Sequence, residues 1–300
     1  MKTLSITALA LMSTSAFATD ARQQAHQFNA GIKDGIDYRT YFSRTDNGKD
    51  SMWFDLASEG VLEGSYKADG KSMTLAQSAA GSTAIGYYSA DGDAGYGVTL
   101  DVASKKDIAL GGGYGTTSGD TDMAFGADLA KTEAGTNVSA YVASRTLTKK
   151  EVSAWGANLG YVEKAINVDA GYDMGWRFKT DRSKAAVTLG PQIGFVKPEE
   201  GDMAIDVTVA EFNIAGEFAL NDWFGLRGSV VSGLDLAIPV GGAEFDVHTS
   251  GVSPMFGASI DFEGADIDLV IDPENVLSGP YFPSGEKTTP AMMMSARFDI

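Results

Sequence analysis

Apolar and polar side chains alternate along most of this chain, in runs of about ten residues parted by short clusters of Gly, Asp and Asn. The pattern is clearest from Ala94 onward. One copy runs from Ile166 to Lys179. Ile166, Val168, Ala170, Tyr172, Met174, Trp176 and Phe178 fall on one face, and Asn167, Asp169, Gly171, Asp173, Gly175, Arg177 and Lys179 on the other. A period of two is that of an extended strand with one apolar and one polar side. Many such strands in series, with aromatic residues near the ends of the apolar face, predict an all-β fold: a closed, up-and-down antiparallel transmembrane β-barrel of about 14–16 strands.

The runs before Ala94 are shorter. Met52 to Ala57 and Val61 to Lys67 read as strands, with Glu59-Gly60 between them as a turn or a bulge. Ile36 to Arg44 reads as a first strand or an interfacial segment. Downstream, Ile205 to Leu220 is long and has room for a bulge at Glu211. Connection lengths set an orientation, because bacterial barrels have short periplasmic turns and longer extracellular loops. Working back from Ile300, Pro273 to Pro290 is a long outer loop and Glu263-Gly264 a tight periplasmic turn. Leu234 to Thr249 is again long, with the length of a small hairpin, and Asn221-Asp222 is tight. Both termini then face the periplasm.

The N-terminus divides the chain further. Lys2, the apolar run Leu4 to Met12 and the small-x-small site Ala16-Phe17-Ala18 make residues 1–18 a secretory signal peptide. Residues 19–35, polar and Gln-rich with no strand period, form a periplasmic N-terminal tail, and the barrel occupies 36–300. No run is apolar over the ~20 residues that a membrane helix requires. A mean hydropathy of −0.08 fits a barrel, half of whose strand positions are polar. With no Cys in an exported chain, a closed sheet must supply the stability that disulfides would otherwise give.

The formal charge of −17 argues against nucleic acid as a partner, since binding it takes a basic surface. Strand parity sends Asp101, Asp128, Asp169, Asp173, Glu217, Asp261, Asp266, Asp268 and Asp299 inward, against Arg145, Arg177, Lys179, Arg227 and Arg297. The acids outnumber the bases, so the lumen should favour cations mildly. Trp155, Tyr161, Tyr172, Trp176 and Phe178 form the expected aromatic girdle. Catalysis has little to draw on: only His26 and His248 are present, and His248 near Ser250, Ser253 or Asp246 reads as a loop residue. Gly111-Gly112-Gly113-Tyr114-Gly115 is no phosphate loop, because no helix follows it. In a barrel, inward glycines leave lumen space. Ser89 to Gly95 and Ser118 to Asp122 lack the closing Glu of a calcium loop, and turn chemistry accounts for their Asp and Gly. No cofactor, metal or catalytic residue is expected.

The ending Met292-Met293-Met294-Ser295-Ala296-Arg297-Phe298-Asp299-Ile300 resembles the C-terminal β-signal of bacterial outer-membrane proteins. It keeps the alternation, but ends in Ile300 with the aromatic two places earlier at Phe298. Asp222-Trp223-Phe224-Gly225-Leu226-Arg227-Gly228-Ser229, a tight turn entering a strand, and Ser278-Gly279-Pro280-Tyr281-Phe282 in the loop before the last strand are similar to those of porin-like barrels of Gram-negative bacteria. The resemblance implies an outer-membrane location and partners among outer-membrane lipid, periplasmic chaperones and the barrel assembly machinery, which would read Phe298 and Ile300. It also implies a passive channel for small hydrophilic solutes. A barrel without an open channel, serving a structural or surface-binding role, and a secreted soluble β adhesin are the alternatives.

Overall fold

Sixteen strands close into one barrel in the computed structural model, which describes residues 30–31, 40–46, 50–57, 62–77, 81–103, 107–132, 135–162, 165–198, 203–240, 246–263, 265–271 and 292–299. The first eight are β1 (Ser51–Ala57), β2 (Leu62–Ala68), β3 (Lys71–Gln77), β4 (Thr83–Asp91), β5 (Ala94–Val102), β6 (Ile108–Ser118), β7 (Thr121–Thr132) and β8 (Gly135–Leu147). The rest are β9 (Glu151–Val162), β10 (Ala165–Lys179), β11 (Ser183–Pro198), β12 (Met203–Ala219), β13 (Phe224–Val240), β14 (Asp246–Phe262), β15 (Ala265–Ile271) and β16 (Met292–Asp299). Each strand pairs antiparallel with its sequence neighbours. β1 closes on β16 from Ser51↔Asp299 to Ala57↔Met293, so the sheet has no free edge.

The turns follow from local chemistry. Asp69-Gly70 joins β2 to β3 with φ of 50° and 69°, the double positive φ of a type I′ hairpin turn, which Asp-Gly favours. This turn lies on the same rim as the tight connections β4–β5, β6–β7, β8–β9, β10–β11 and β12–β13, and β1 starts and β16 ends there. The opposite rim is where β15 ends and β16 starts; the connection between Ile271 and Met292 lies outside the described residues, as do Glu59-Gly60, Gly264 and Ile300. The excursion over 234–249 is a hairpin that extends the wall: Leu234 to Ala237 pair with Thr249 to Asp246. The register shift in β12 falls between Thr208 and Ala210, just ahead of Glu211.

The wall is uneven in height. β1, β2, β3 and β15 have 7 residues each and β16 has 8, while β12, β13 and β14, next in the ring, have 17. Large apolar side chains stand exposed on the outer face of every part of it, from Phe54 and Tyr66 through Leu159 and Trp176 to Phe256 and Phe298. No helix among the described residues is long and apolar enough to cross a membrane.

Within 36–44, residues 40–44 are described and are neither strand nor interfacial. Phe42–Asp46 is a 3-10 helix, and it packs against β4, β5 and β6 from within the barrel. Its sequence has no alternation to place it in the sheet. Instead the Arg44 amide donates to the Tyr41 carbonyl at 2.8 Å and Thr45 Oγ1 to the Phe42 carbonyl at 2.7 Å, which closes a tight local turn. The hydrophobic core therefore lies inside the barrel, where Tyr41, Phe42, Trp53, Tyr88, Ala124 and Ala143 bury one another, with Tyr141 packed against them.

Candidate functional site

Cross-strand pairing fixes which side chains share the lumen, because directly paired residues lie on one face of the sheet. Asp169 pairs with Asn158 and Gly194, Arg227 with Glu217 and Gly257, and Asp266 with Asp261 and Arg297. The alternating burial along β10 puts Asp169 inside, 5% exposed, between exposed Ile166, Val168 and Tyr172. The same parity directs Asp101, Asp128, Asp173, Arg177, Lys179, Asp268, Arg145 and Asp299 inward. Trp155, Tyr161, Tyr172, Trp176, Phe178 and Phe298 all stand exposed on the outer face. Tyr161 pairs with Ile166, and Trp176 lies ten residues further along the same strand. At ~3.4 Å per residue and a tilt near ~40°, that interval spans ~26 Å, close to the ~25 Å apolar band of outer-membrane barrels.

Two ionic groups organise the lumen. The first centres on Asp122, which is fully buried. Arg44 reaches its Oδ1 from the 3-10 helix, through Nε at 2.6 Å and Nη2 at 2.5 Å. Thr117 Oγ1 donates to the same oxygen at 3.0 Å. Arg145 Nη2 donates to Oδ2 at 3.2 Å and carries its guanidinium 4.4 Å above the Tyr41 ring. Ser43 and Thr117 share a hydroxyl hydrogen bond of 2.7 Å. Nearby, Arg177 Nε donates to the Gly31 carbonyl at 2.7 Å and its Nη1 to the Thr148 carbonyl at 2.7 Å. The second group runs along the other side of the lumen: Lys184 to Glu217 at 2.5 Å, Glu217 to Arg227 at 3.4 Å, and Arg227 to Asp268. Ser295 also donates to buried Asp55 across the β16–β1 seam.

Inward glycines of β5 and β6 have a specific occupant. A Cβ at Gly97 would come within 2.6 Å of the Phe42 ring and 2.7 Å of Tyr88. At Gly95 and Gly113 it would likewise strike Phe42. Phe42, 4% exposed, stacks on Tyr88 with ring centroids 6.3 Å apart and planes at 18°. The Gly111–Gly115 run is thus one wall of an aromatic seat.

Sequence parity did not single out Phe42, Arg44, Asp122, Asp55, Glu63 or Lys184. Asp122 was legible in part: it shares parity with Asp128 on β7 but stands beside a turn among other acids. Among the described residues no group of three or more His, Asp or Glu side chains is placed to hold a metal ion. His248 lies within β14, its backbone opposite Asp235.

No protein-family model and no curated protein matches the sequence. Among solved structures the chain is similar to a bacterial polysaccharide outer membrane secretin, at 8% identity over 85% of this chain and 99% of that one, with a TM-score of 0.55. It also aligns with the outer-membrane expressed OmpT of Vibrio cholerae, at 9% identity over 84% and 95% of the two chains, with a TM-score of 0.45. A third alignment is with the translocator domain of autotransporter NalP from Neisseria meningitidis, at 12% identity over 85% and 90%, with a TM-score of 0.32. At such identities the likeness is one of fold: a closed antiparallel barrel of the kind found in bacterial outer-membrane proteins.

Proposed function

We propose that this barrel resides in the bacterial outer membrane and is a passive channel for small hydrophilic solutes, mildly selective for cations. One observation carries the reading. A closed wall presents apolar and aromatic side chains outward and a polar, acid-rich surface inward. Such an arrangement suits lipid outside and water inside. Delivery would pass through periplasmic chaperones to the assembly machinery, with the last strand as the recognised signal. Transport would need no chemistry from the protein. Solutes would diffuse down their gradients, and the lumen charges would bias which ions enter.

The bias follows from the inward carboxylates that face no Lys or Arg across the sheet. Asp122 is matched by Arg44 and Arg145, and Glu217 and Asp268 by Lys184 and Arg227. Asp101, Asp169 and Asp173 line β5 and β10 with no Lys or Arg directly opposite them in the sheet. A low-dielectric wall focuses their field into the lumen. The test is the reversal potential across a KCl gradient in planar bilayers. Wild type should prefer K⁺, and Asp169→Asn with Asp173→Asn should move the potential toward zero. The preference should fade as salt rises, since the Debye length falls from ~10 Å at 0.1 M to ~3 Å at 1 M. An anion-selective wild type, or no shift in the double variant, refutes the assignment of these carboxylates. A silent bilayer favours the closed structural barrel.

A further inference from the structure

The 3-10 helix has no part in the wall, yet the barrel is built around it. Two strands give up inward side chains to glycine where it sits: Gly95 and Gly97 on β5, Gly113 and Gly115 on β6. An inward glycine on a strand costs conformational entropy and packs nothing of its own, so a cluster of them marks a close approach by another part of the chain. Here the approaching group is Phe42. The next two strands each supply a charged anchor, Asp122 from β7 and Arg145 from β8, and Asp122 receives Arg44. One side of the lumen therefore holds a seat for the ring, a buried acceptor for the guanidinium and a hydroxyl partner, Thr117, for Ser43.

We infer that the Phe42–Asp46 helix is the constriction of the channel: it obstructs the β4–β8 side of the lumen near the short-turn rim and leaves the path to the side lined by β11–β16. The inference rests on the channel reading above and assigns the size limit to named residues. A helix fixed at the wall by side chains, rather than woven into the ladder, narrows the pore without being required for barrel closure. Phe42 and Arg44 are its main attachments, one apolar and one ionic, and the Ser43–Thr117 hydrogen bond and Tyr41 under the Arg145 guanidinium add to them. Removing Phe42, Arg44 and the Ser43 hydroxyl together loosens the segment, whereas removing one leaves the others seated.

Ser43 and Thr117 offer a reversible test, because their hydroxyl oxygens are 2.7 Å apart and the chain contains no Cys. In the full-length protein, Phe42→Ala and Arg44→Ala would be combined with Ser43→Cys and Thr117→Cys, and single channels recorded in KCl before and after adding reductant. Polyethylene glycols of graded size would report the exclusion limit. Oxidised channels should match wild type. Reduction should raise conductance about two-fold or more and admit larger polymers, as expected when an obstructed part of a pore opens. Because the same folded molecules are measured in both states, a folding defect cannot imitate the change. Gly97→Val combined with Arg44→Ala, which drives the ring from its seat from the wall side and removes the ionic anchor, should give the open level with Phe42 itself intact. Equal conductance and equal exclusion limits in the oxidised and reduced states overturn the constriction while leaving the channel reading intact. No current in either state overturns both.

Discussion

Moving one guanidinium along the outer face of β10 tests the membrane reading as a depth profile. Ile166, Ala170 and Phe178 share that face, at one end, near the middle and at the other end of its apolar row. The interval from Ile166 to Trp176 spans ~26 Å, so Ala170 lies within ~3 Å of the midplane, while Ile166 and Phe178 stand at or beyond the band edges. An Arg on the lipid face costs ~2–4 kcal/mol at the midplane and ~0–1 kcal/mol near the interfaces. Ala170→Arg should therefore lower the folded-to-unfolded ratio by roughly 30- to 1,000-fold, at ~1.4 kcal/mol per factor of ten. To separate the charge from lost side-chain contact, Ile166→Arg and Phe178→Arg are each compared with Ile166→Ala and Phe178→Ala. The assay is urea unfolding of the protein in lipid vesicles, read from midpoints at constant slope. The expected profile is a single maximum at Ala170. A flat profile, or a maximum at either end, would refute a membrane band centred on this strand.

Two further substitutions probe the ionic hub and the closing seam. Asp122→Ala leaves buried Arg145 without its carboxylate and should cost ~3–5 kcal/mol, against little for Asp261→Ala at the exposed rim; similar unfolding midpoints for the two would contradict the central place given to Asp122. Phe298 stands on the outer face of β16 opposite Met52 and Ala265, so Phe298→Ala should reduce the yield of heat-modifiable barrel in outer-membrane fractions, and an undiminished yield counts against a β-signal there.

The wall was legible in the sequence because its physics is local. A strand with lipid on one side and water on the other must alternate, and Ile166 to Lys179 does so without a break, matching β10 almost residue for residue. The same parity placed Asp169, Arg227 and Trp176 on their faces. The lumen contents were not legible. Phe42–Asp46 has neither a period of two nor the length for a helical period, and its partners lie far off in sequence: Gly97, Gly113, Asp122 and Arg145. The Gly111–Gly113 run could be read only as space left open. What fills that space depends on the chain entering the barrel before β1, which no local pattern records. The β12 bulge lies at Val209 rather than Glu211: there β12 carries one residue more than both β11 and β13, and Glu211 alone carries no sign of it.

The difference in strand length has a mechanical consequence. Seven residues at ~3.4 Å, tilted by ~40°, stand only ~16 Å tall, whereas seventeen stand ~42 Å. On β3 the outward row holds Met73 and Leu75 between Lys71 and Gln77, so its apolar stretch is shorter still. A bilayer meeting this barrel must be compressed around β1–β3 and can keep its full thickness around β10–β14. Mismatch costs fractions of a kcal/mol per Å, and it is concentrated next to the seam where the first strand meets the last. Lipid deformation is thereby focused on the flank from β15 through the seam to β3, where each strand is held to its neighbour by only six or seven paired residues. Membrane thickness then acts on this molecule as a one-sided load, carried by the flank that includes the closing seam.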